Sequence, residues 1–422
     1  MISKLTLSQA VILCGGLGTR LRPLTDSLPK PMVLVNDRPF LIYLLEQLAQ
    51  QGITKFLLLT GYLGEKIANY FGDGSQYGWS ISYSAGLLEW DTGRRVWEAR
   101  SKLDAEFLFL YSDNFVQFNI LKLVKLHMQL TTAISLLLVE KLNGNIKISE
   151  DGRILAYDKS RAGVGFNYVE IGYMVVNRDE ILKDFQNYSN FPDFSFSVVL
   201  SKLAQLQKIA GLVICDTYHS ISDPERLALM SAYLKSKKIL LIDRDGTINE
   251  RARRGEYITS WSAFKWIPKT RKAMIHLAKL GFKFIVITNQ AGVARNMIDP
   301  VSLEDIHQKM TAELNDAGVS VLKVYMCPDH WEANSFFRKP APGMFFQAAK
   351  EFNLRMDQCL YVGDDERDCD AAANAGCGMV YLNNDDKPPK LKEFPKSFIM
   401  ARTMQDAVGH IRDTYHNWEA CQ

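Results

Sequence analysis

Two aspartates one residue apart, Asp243 and Asp245, follow directly after the strand-like apolar run 238–242. Short runs of branched apolar residues are typical of buried strands, and Gly246 ends this one in a tight loop. Both carboxylates are therefore expected at the carboxyl end of a strand, where open α/β sheets bind their ligands. Like charges this close are costly unless a divalent cation or a proton separates them. A strand followed by an acidic turn without function would have the same local sequence. Other segments of the chain are therefore needed to distinguish a functional pair of carboxylates from a structural turn.

Three later segments place polar or charged side chains after apolar runs or in a loop: Thr288 with Asn289, Arg338 with Lys339, and Asp364 with Asp368. A nucleophile, a hydroxyl that holds phosphate, a lysine and a metal-binding acidic loop are what phosphoryl transfer through an aspartyl-phosphate requires. Each segment alone could be structural: a strand-end hydroxyl, a solvated lysine or an acidic helix start. Their occurrence together, in this order, favours the chemistry.

This ordered set, over about residues 237–385, resembles the haloacid dehalogenase superfamily of phosphatases. The resemblance implies that Asp243 is the nucleophile and that Asp245 protonates the leaving alkoxide. It also implies that Thr288 and Lys339 hold the transferring phosphoryl group. The implied Mg²⁺ ligands are Asp243, Asp245, Asp364 and Asp368, and oxygen ligands of this kind are those that Mg²⁺ prefers.

The segments 288–295 and 338–344 are similar to the branch of heptose-bisphosphate and histidinol-phosphate phosphatases. That branch carries a zinc loop before its R-K-P motif, and only Cys327 and His330 of the loop's ligands remain here. Two ligands do not close a tetrahedral site, so we expect no structural zinc. Asn289 and Arg338 are expected to bind substrate, and an arginine beside the catalytic lysine would suit a second phosphate.

A second signal lies near the start, where the apolar run 10–13 is followed by the sequence C-G-G-L-G-T-R-L-R-P-L-T. Glycines let backbone N–H groups approach phosphates closely, and arginines add positive charge. A bare G-G-x-G is weak evidence, because it is neither a Rossmann fingerprint nor a P-loop. The candidate phosphate-binding residues in this segment are Gly15, Gly16, Gly18, Thr19 and Arg20.

Together with Pro29-Lys30-Pro31, this segment resembles the sugar-1-phosphate nucleotidyltransferases, over about residues 8–230. The resemblance implies that Arg20 holds the β- and γ-phosphates and that Lys30 stabilises charge at the α-phosphoryl group. It further implies that Asp113 binds Mg²⁺. Positioning and charge neutralisation would provide most of the catalysis in such a transfer.

Other matches to the same family concern the sugar and the base. The segment 91–95 is similar to a loop that lies near base and sugar, while Lys159 and Glu170 match positions that bind the sugar phosphate and the sugar. Glu170 stands where the family has an asparagine, and Ser220 stands where it has the aspartate that is the second metal ligand. Asp216 and Asp223 are nearby carboxylates that could substitute, and the sequence leaves this open.

Strand-like runs alternate with helical patterns in both halves, which predicts an α/β fold. A chain of 422 residues exceeds the size at which one hydrophobic core stops growing. We expect two domains, each a mostly parallel sheet flanked by helices. Residues 1–234 would form a Rossmann-like nucleotidyltransferase domain, and residues 235–422 a haloacid-dehalogenase-like domain with a C-terminal tail that is helical over 404–419.

Net charge and cysteine content limit the possible binding partners and cellular location of the protein. The net charge of +3 gives no indication of a nucleic-acid partner. No apolar run approaches membrane-spanning length, and the start lacks a signal-peptide pattern, so we expect no membrane association. Seven scattered cysteines lack the spacing of a disulfide framework, which predicts a reduced, cytoplasmic location. The sequence does not determine the oligomeric state.

The two resemblances combine into one hypothesis, a bifunctional enzyme of nucleotide-sugar biosynthesis that serves cell-surface carbohydrate and uses Mg²⁺ in both domains. A heptose 1,7-bisphosphate would lose its 7-phosphate, and the remaining heptose 1-phosphate would receive a nucleotidyl group from a nucleoside triphosphate. GMP is the preferred group, and cytidylyl transfer stays open. Two alternatives remain: another sugar phosphate as substrate, or an inactive first half that binds nucleotide or sugar as a regulatory module.

Overall fold

The computed structural model describes residues 7–158, 165–188, 190–215, 218–253, 255–383, 388–391, 393–395 and 397–420. Lys159 and Asp216, both named as candidates from the sequence, lie outside the described residues. The chain divides into two compact units, Met1–Ala232 (unit 1) and Tyr233–Gln422 (unit 2). Within the described residues, no helix is both long and apolar enough to cross a membrane.

The described strands of unit 1 are β1 Gln9–Cys14, β2 Leu34–Val35, β3 Arg38–Pro39, β4 Lys55–Thr60, β5 Ser80–Ala85, β6 Glu106–Tyr111, β7 Asn114–Phe115, β8 Ile134–Glu140, β9 Ile146–Ile148, β10 Ile154–Tyr157, β11 Tyr168–Asn177, β12 Ile209–Ile214 and β13 His219–Ser220. The helices are α1 Leu24–Ser27, α2 Phe40–Ala49, α3 Gly64–Phe71, α4 Thr92–Glu98, α5 Ile120–Leu130, α6 Arg178–Phe185, α7 Phe196–Gln205 and α8 Pro224–Leu234.

Unit 1 is built on a nine-stranded mixed sheet. Its parallel part has the order β5-β4-β1-β6, with Ile12 of β1 paired to Leu58 of β4 on one side and to Leu110 of β6 on the other. Strand β11 is antiparallel to β6, and β8 is antiparallel to β11. The strand order therefore reverses between β1 and β6, and such a switch point leaves a crevice at the carboxyl ends of the two strands.

The described strands of unit 2 are β14 Ile239–Ile242, β15 Lys283–Asn289, β16 Val321–Cys327, β17 Leu360–Gly363, β18 Gly378–Leu382 and β19 Phe398–Ala401. Its helices are α9 Pro268–Lys279, α10 Pro300–Asp316, α11 Gly343–Phe352, α12 Glu366–Ala375 and α13 Met404–Ala420. The predicted helix in the tail is present over Met404–Ala420.

Unit 2 is built on a six-stranded parallel sheet of order β16-β15-β14-β17-β18-β19. Helices cover both faces. Leu240 and Ile242 pack with residues of α9, α10 and α13, whereas Ile239 and Leu241 pack with residues of α11 and α12. Because both faces of β14 are buried, its sequence is continuously apolar rather than alternating. The predicted α/β fold, with two units of sheet flanked by helices, is confirmed.

Candidate active sites

The first site lies at the switch point of unit 2, where the strand order reverses between β14 and β17. Asp243 follows the last residue of β14, and its backbone N–H donates to the Val362 carbonyl of β17 at 2.8 Å. Thr288 lies near the end of β15, and Asp364 follows the last residue of β17. Three adjacent parallel strands therefore deliver predicted site residues to one edge of the sheet.

Lys339 joins these strand ends. Its Nζ donates to Asp243 Oδ1 at 2.8 Å, to Asp368 Oδ1 at 2.8 Å, to the Tyr361 hydroxyl at 2.7 Å and to the Ile287 carbonyl at 3.1 Å. Lys339 is 5% exposed and Asp243 is 6% exposed, so this is a buried ion pair. Breaking such a pair by removing one partner is strongly destabilising, because it leaves an uncompensated buried charge.

Asn289 fixes the main chain of Lys339. Its Nδ2 donates to the Lys339 carbonyl at 3.0 Å, and its Oδ1 accepts from the Lys339 N–H at 3.0 Å. The predicted substrate-binding amide is thus engaged in holding the lysine. Sequence reasoning assigned Asn289 to the substrate because it ends a strand, and could not show that its partner lies 50 residues further along.

Three carboxylates form the candidate metal site. One oxygen each of Asp243, Asp364 and Asp368 lies within 4.8 Å of the others, and we call this group the acidic triad. Hard oxygen ligands of this kind suit a divalent cation such as Mg²⁺. Gly246 leaves the room that Asp364 occupies: it has φ of 91°, and a Cβ there would lie 2.1 Å from Asp364 Oδ2. A larger residue at this position would have a strained backbone conformation, and its side chain would also clash with Asp364.

Burial disfavours the charged forms of Asp243 and Asp364 in the acidic triad, and two nearby cations offset only part of that effect. Burial raises the pKa of Asp243 above its usual value, and Lys339 opposes the shift. Burial likewise raises the pKa of Asp364 to about 6, against the effect of Arg251, whose NH2 lies 2.9 Å from Asp364 Oδ2. A bound divalent cation would favour the charged form of each carboxyl group. The donor chemistry therefore fits the cation that the sequence resemblance implies.

Asp245 has a separate environment from the acidic triad. Arg244, which has no exposed surface, donates through NH2 to Asp245 Oδ1 at 2.8 Å and Oδ2 at 2.7 Å. Asn249 and Gln290 also donate to the Asp245 carboxylate, at 2.9 Å and 2.8 Å. Burial raises the pKa of Asp245, but Arg244 and these hydrogen bonds outweigh it and hold the pKa below its usual range.

Several contributors to this site were not found from the sequence. His307 Nε2 lies 2.9 Å from Arg244 NH1, and burial lowers the pKa of His307 to about 3, so the ring is neutral and can accept that N–H. Gln290 donates to Thr288 Oγ1 at 3.0 Å and so connects Thr288 to Asp245. The position of Arg244 between two aspartates could have indicated that it pairs with one of them. Nothing in the sequence indicates its contact with a histidine 63 residues away.

A cavity of about 780 Å³ opens from the unit 2 site. Five arginines line it, which we call the mouth arginines: Arg251, Arg253, Arg295, Arg338 and Arg367. Arg338, predicted to bind substrate, donates through NH1 to the Asp329 carbonyl at 3.0 Å. Arg295 lies over the Trp331 ring at 5.4 Å and donates to the Tyr257 hydroxyl at 3.2 Å. An opening lined in this way would attract an anionic substrate.

The second site is a cavity of about 440 Å³ at the carboxyl ends of the parallel strands of unit 1. It is lined by most of the residues predicted for this half: Gly15, Gly16, Gly18, Thr19, Arg20, Lys30 and Asp113. Glu170 lies on β11, where its Oε2 accepts from the Gly172 N–H at 2.9 Å, and is not a lining residue of this cavity in the described part of the chain.

Lys30 and Asp113 contact each other directly. Lys30 Nζ lies 2.6 Å from Asp113 Oδ2, and both side chains are partly buried. The sequence resemblance assigns Lys30 to the α-phosphoryl group and Asp113 to a metal ion. A metal ion at Asp113 would compete with Lys30 for the carboxylate, so the pair would have to open when metal and nucleotide bind.

Ser220 lies beside Asp113 but presents a hydroxyl rather than a carboxylate. It pairs with Asn114 in the short antiparallel β13–β7 ladder, and the next N–H, of Ile221, donates to the Asp113 carbonyl at 2.9 Å. Arg226 NH1 donates to Ser220 Oγ at 3.3 Å. Asp223, the described candidate to replace the missing ligand, accepts from Ser222 Oγ at 3.0 Å. Ser220 is therefore close to Asp113 but offers a hydroxyl, which is a weaker metal ligand than a carboxylate.

Two family profiles match the chain, one in each half. The profile of the Nucleotidyl transferase family matches residues 9–190, and that of the Polynucleotide kinase 3 phosphatase family matches residues 238–384. The first range contains the glycine-rich segment, Lys30 and Asp113. The second contains Lys339 and the acidic triad.

Individual proteins of known name are also similar to parts of the chain. D-glycero-beta-D-manno-heptose-1,7-bisphosphate 7-phosphatase of Photorhabdus laumondii subsp. laumondii is 34% identical over 180 residues, which are 41% of this chain and 94% of that protein. The enzyme of the same name from Bordetella bronchiseptica is 33% identical over 140 residues, 33% of this chain and 77% of that protein. The crystal structure of HddC from Yersinia pseudotuberculosis has a TM-score of 0.46 and 21% identity, and covers 54% of this chain and 100% of that chain.

Proposed function

We propose a two-step function for this chain, which belongs to the family of D-glycero-beta-D-manno-heptose-1,7-bisphosphate 7-phosphatases. The chain is an enzyme that combines a phosphatase with a nucleotidyltransferase. In our proposal unit 2 removes the 7-phosphate of a heptose 1,7-bisphosphate, and unit 1 transfers a nucleotidyl group to the heptose 1-phosphate that remains. The observation that supports the first step best is the buried contact of Lys339 with Asp243 of the acidic triad.

In the phosphatase step, a carboxylate oxygen of Asp243 attacks the phosphorus of the 7-phosphate. The new bond forms as the ester P–O bond breaks, and the leaving alkoxide takes a proton from Asp245. Water then attacks the phosphorus of the aspartyl-phosphate, which releases inorganic phosphate and restores Asp243. Lys339 and Thr288 hold the phosphoryl oxygens. Mg²⁺ held by the acidic triad would neutralise charge between Asp243 and the phosphate.

Asp245 would act as acid in the first half of this reaction and as base in the second. Arg244 holds its pKa low, which suits the second half, when Asp245 accepts a proton from the attacking water. A substrate phosphate beside Asp245 adds negative charge and so raises the pKa of that carboxyl group toward the value that an acid needs. The hydrogen bonds from Asn249 and Gln290 hold the Asp245 carboxylate in one orientation during both steps of the reaction.

The mouth arginines support a substrate with a second phosphate. With one phosphate between Asp243 and Lys339, the rest of a sugar bisphosphate would extend into the cavity that these arginines line. Arg338 adjoins Lys339 in sequence and is the arginine that we assign to the second phosphate. A planar guanidinium suits this task, because it can donate two N–H groups to one phosphate.

In the transferase step, an oxygen of the sugar 1-phosphate attacks the α-phosphorus of a nucleoside triphosphate. The bond to the bridging oxygen of the β-phosphate breaks, and pyrophosphate leaves. Arg20 holds the leaving group, Lys30 stabilises charge at the α-phosphoryl group, and Asp113 would hold Mg²⁺. We assign GTP as the donor and the cytoplasm, where nucleoside triphosphates are made, as the location. The product would serve cell-surface carbohydrate.

One observation favours a second candidate for unit 1. Ser220, whose hydroxyl accepts from Arg226, stands next to the residue that bonds to the Asp113 main chain, where the resemblance calls for a second carboxylate. A unit that binds metal weakly could bind nucleotide or sugar without turnover and act as a regulatory module.

The experiment that separates these possibilities measures both products on the full chain. Phosphate release is compared on heptose 1,7-bisphosphate, histidinol phosphate and a hexose bisphosphate, and pyrophosphate release is compared with each of four nucleoside triphosphates on heptose 1-phosphate. We expect the heptose bisphosphate and GTP to give the highest kcat/KM. Faster turnover of histidinol phosphate would refute the assigned phosphatase substrate. Saturable nucleotide binding without pyrophosphate release would favour the regulatory module.

A further inference from the structure

Arg95 is a buried arginine in unit 1 that no part of the proposed reaction uses. It lies in α4, is 6% exposed, and lines the unit 1 cavity. Its guanidinium donates to three main-chain carbonyls: Nε to Trp90 at 3.0 Å, NH1 to Thr60 at 2.8 Å and NH2 to Leu87 at 2.7 Å. Thr60 ends β4, whereas Leu87 and Trp90 belong to the segment after β5. One side chain therefore ties together loops from two strands.

Three glycines make room for this guanidinium. A Cβ on Gly15 would lie 2.5 Å from Arg95 Cζ, one on Gly61 would lie 2.8 Å from NH1, and one on Gly86 would lie 2.9 Å from NH1. Gly15 follows β1 and is the first glycine of the predicted phosphate-binding segment. The loops after β1, β4 and β5 thus all pack against the same planar group, and a side chain on any of the three glycines would displace it.

Among the residues that the structure describes, Arg95 has no acidic partner in direct contact, and its guanidinium bonds to three carbonyl groups, which supply only dipoles. Asp193, Asp91 and Glu89 act on its charge from a greater distance. A guanidinium has five N–H donors, and the bonds to the carbonyl groups use three.

The cavity is lined by three cations, Arg20, Lys30 and Arg95, and by two carboxylates, Asp91 and Asp113. Because Lys30 is paired with Asp113, Arg95 in the wall beside Gly15 contributes to a net positive charge. Buried positive charge of this kind favours an anion in the cavity.

We propose that Arg95 is a positioning residue for the nucleoside triphosphate in unit 1. It holds the Gly15 main chain, the end of β4 and the segment 86–90 in one arrangement, and it keeps a positive charge beside the loop that receives the phosphates. A loop fixed before binding loses less conformational freedom when the nucleotide enters, so the residue strengthens binding even without touching the nucleotide. This inference deepens the proposed nucleotidyl transfer and rests on it.

The test compares the full-length wild type with Arg95→Ala, Arg95→Lys and a matched control, Arg100→Ala. Arg100 lies just after α4, is partly exposed, and donates to the Trp97 carbonyl at 2.9 Å. GTP binding is measured by calorimetry, and kcat and KM for GTP by pyrophosphate release. We expect Arg95→Ala to weaken GTP binding and raise KM by about tenfold or more, while kcat changes by less than about threefold. Methylguanidinium added to Arg95→Ala should restore part of the affinity, and Arg100→Ala should match the wild type.

Arg95→Lys keeps the charge but can serve only some of the three carbonyls, so it should also bind GTP more weakly than the wild type. Circular dichroism checks folding, and phosphate release by unit 2 checks each preparation. A folded Arg95→Ala that binds GTP as the wild type does would overturn this inference and leave the proposed nucleotidyl transfer intact. Should Arg95→Ala fail to fold, Arg95→Lys decides in the same way. A wild type that binds none of the four nucleoside triphosphates would overturn the proposed transfer together with this inference.

Discussion

Lys339 Nζ lies 2.8 Å from Asp243 Oδ1, although the two residues are 96 positions apart in the sequence. The same ammonium lies 2.8 Å from Asp368 Oδ1, so one cation faces two buried carboxylates while a third, Asp364, completes the acidic triad. Arg251 NH2 lies 2.9 Å from Asp364 Oδ2, so two cations face three carboxylates. The negative charge that remains favours a divalent cation at this site, and the proposed phosphatase chemistry depends on this imbalance.

Asp243→Asn should abolish the phosphatase and leave the other unit unaffected. The amide keeps the size of the side chain but is a poor nucleophile, so phosphate release should fall by about a thousandfold or more. The wild type quenched in acid during turnover should carry one phosphoryl group on the peptide that contains Asp243, as seen by mass spectrometry, and the variant should carry none. A phosphoryl group found on a different residue would contradict the assignment of the nucleophile.

Lys339→Met should destabilise unit 2 in a way that metal relieves. Without the ammonium, Asp243 and Asp368 face each other as unpaired buried charges, which should lower the free energy of unfolding by about 3–5 kcal/mol. Because a divalent cation can neutralise the same carboxylates, the loss should be smaller in Mg²⁺ than in EDTA. Urea unfolding under both conditions measures this. Lys350→Met, at an exposed position of α11, is the control and should change stability by less than about 0.5 kcal/mol. An equal loss in Mg²⁺ and EDTA would speak against metal at this site.

Removal of metal should stop the phosphatase, and Asp364→Asn should raise the Mg²⁺ concentration needed to restore it by at least about tenfold. The variant replaces one charged oxygen of the acidic triad with an amide and keeps its volume. Magnesium titrations of phosphate release and of the thermal midpoint provide two independent measures. Asp370→Asn, on α12 but outside the acidic triad, should behave as the wild type. Equal Mg²⁺ requirements for Asp364→Asn and the wild type would remove Asp364 from the site.

The buried His127 of unit 1 should make folding sensitive to acid. It is 3% exposed, its Nδ1 lies 3.0 Å from Ser135 Oγ, and burial lowers its pKa to about 4. In the unfolded chain the pKa is about 6.5, so the unfolded state takes up the proton first as pH falls. The stabilising contribution is therefore complete above pH 6.5 and is lost toward pH 4, by about 2 kcal/mol at pH 5.

His127→Gln should lack this part of the pH dependence. Urea titration with pulse proteolysis reports each unit by the fragments that remain, and the comparison is between the slopes of stability against pH, since the substitution also changes stability at neutral pH. Identical slopes for unit 1 in the wild type and the variant between pH 5 and 6.5 would contradict the assignment.

Much of the fold followed from local patterns. The continuous apolar run before Asp243 predicted a buried strand, and β14 is covered by helices on both sides. The polar residues after apolar runs were expected to meet, because the carboxyl ends of parallel strands share one edge, and Asp243, Thr288 and Asp364 do lie at that edge. The antiparallel strands of unit 1 were not expected, since apolar runs such as β8 and β11 do not specify direction.

The side-chain contacts within the two sites were harder to predict from the sequence. The resemblance implies metal binding by Asp245, and sequence spacing could not show that Arg244 holds its carboxylate, because that contact depends on side-chain direction. Arg95 was noted only as part of a loop near base and sugar. Its role as a packing centre needs three glycines at positions 15, 61 and 86, whose proximity is set by the order of β1, β4 and β5 in the sheet.

The most direct measurement of the two-step account follows both products from one reaction of the full chain with heptose 1,7-bisphosphate, GTP and Mg²⁺. The account predicts that phosphate appears first and that pyrophosphate follows to the same final amount. Asp243→Asn should give neither product from the bisphosphate but should release pyrophosphate when heptose 1-phosphate is supplied. Phosphate release by the wild type without any pyrophosphate, from GTP or another nucleoside triphosphate, would contradict it.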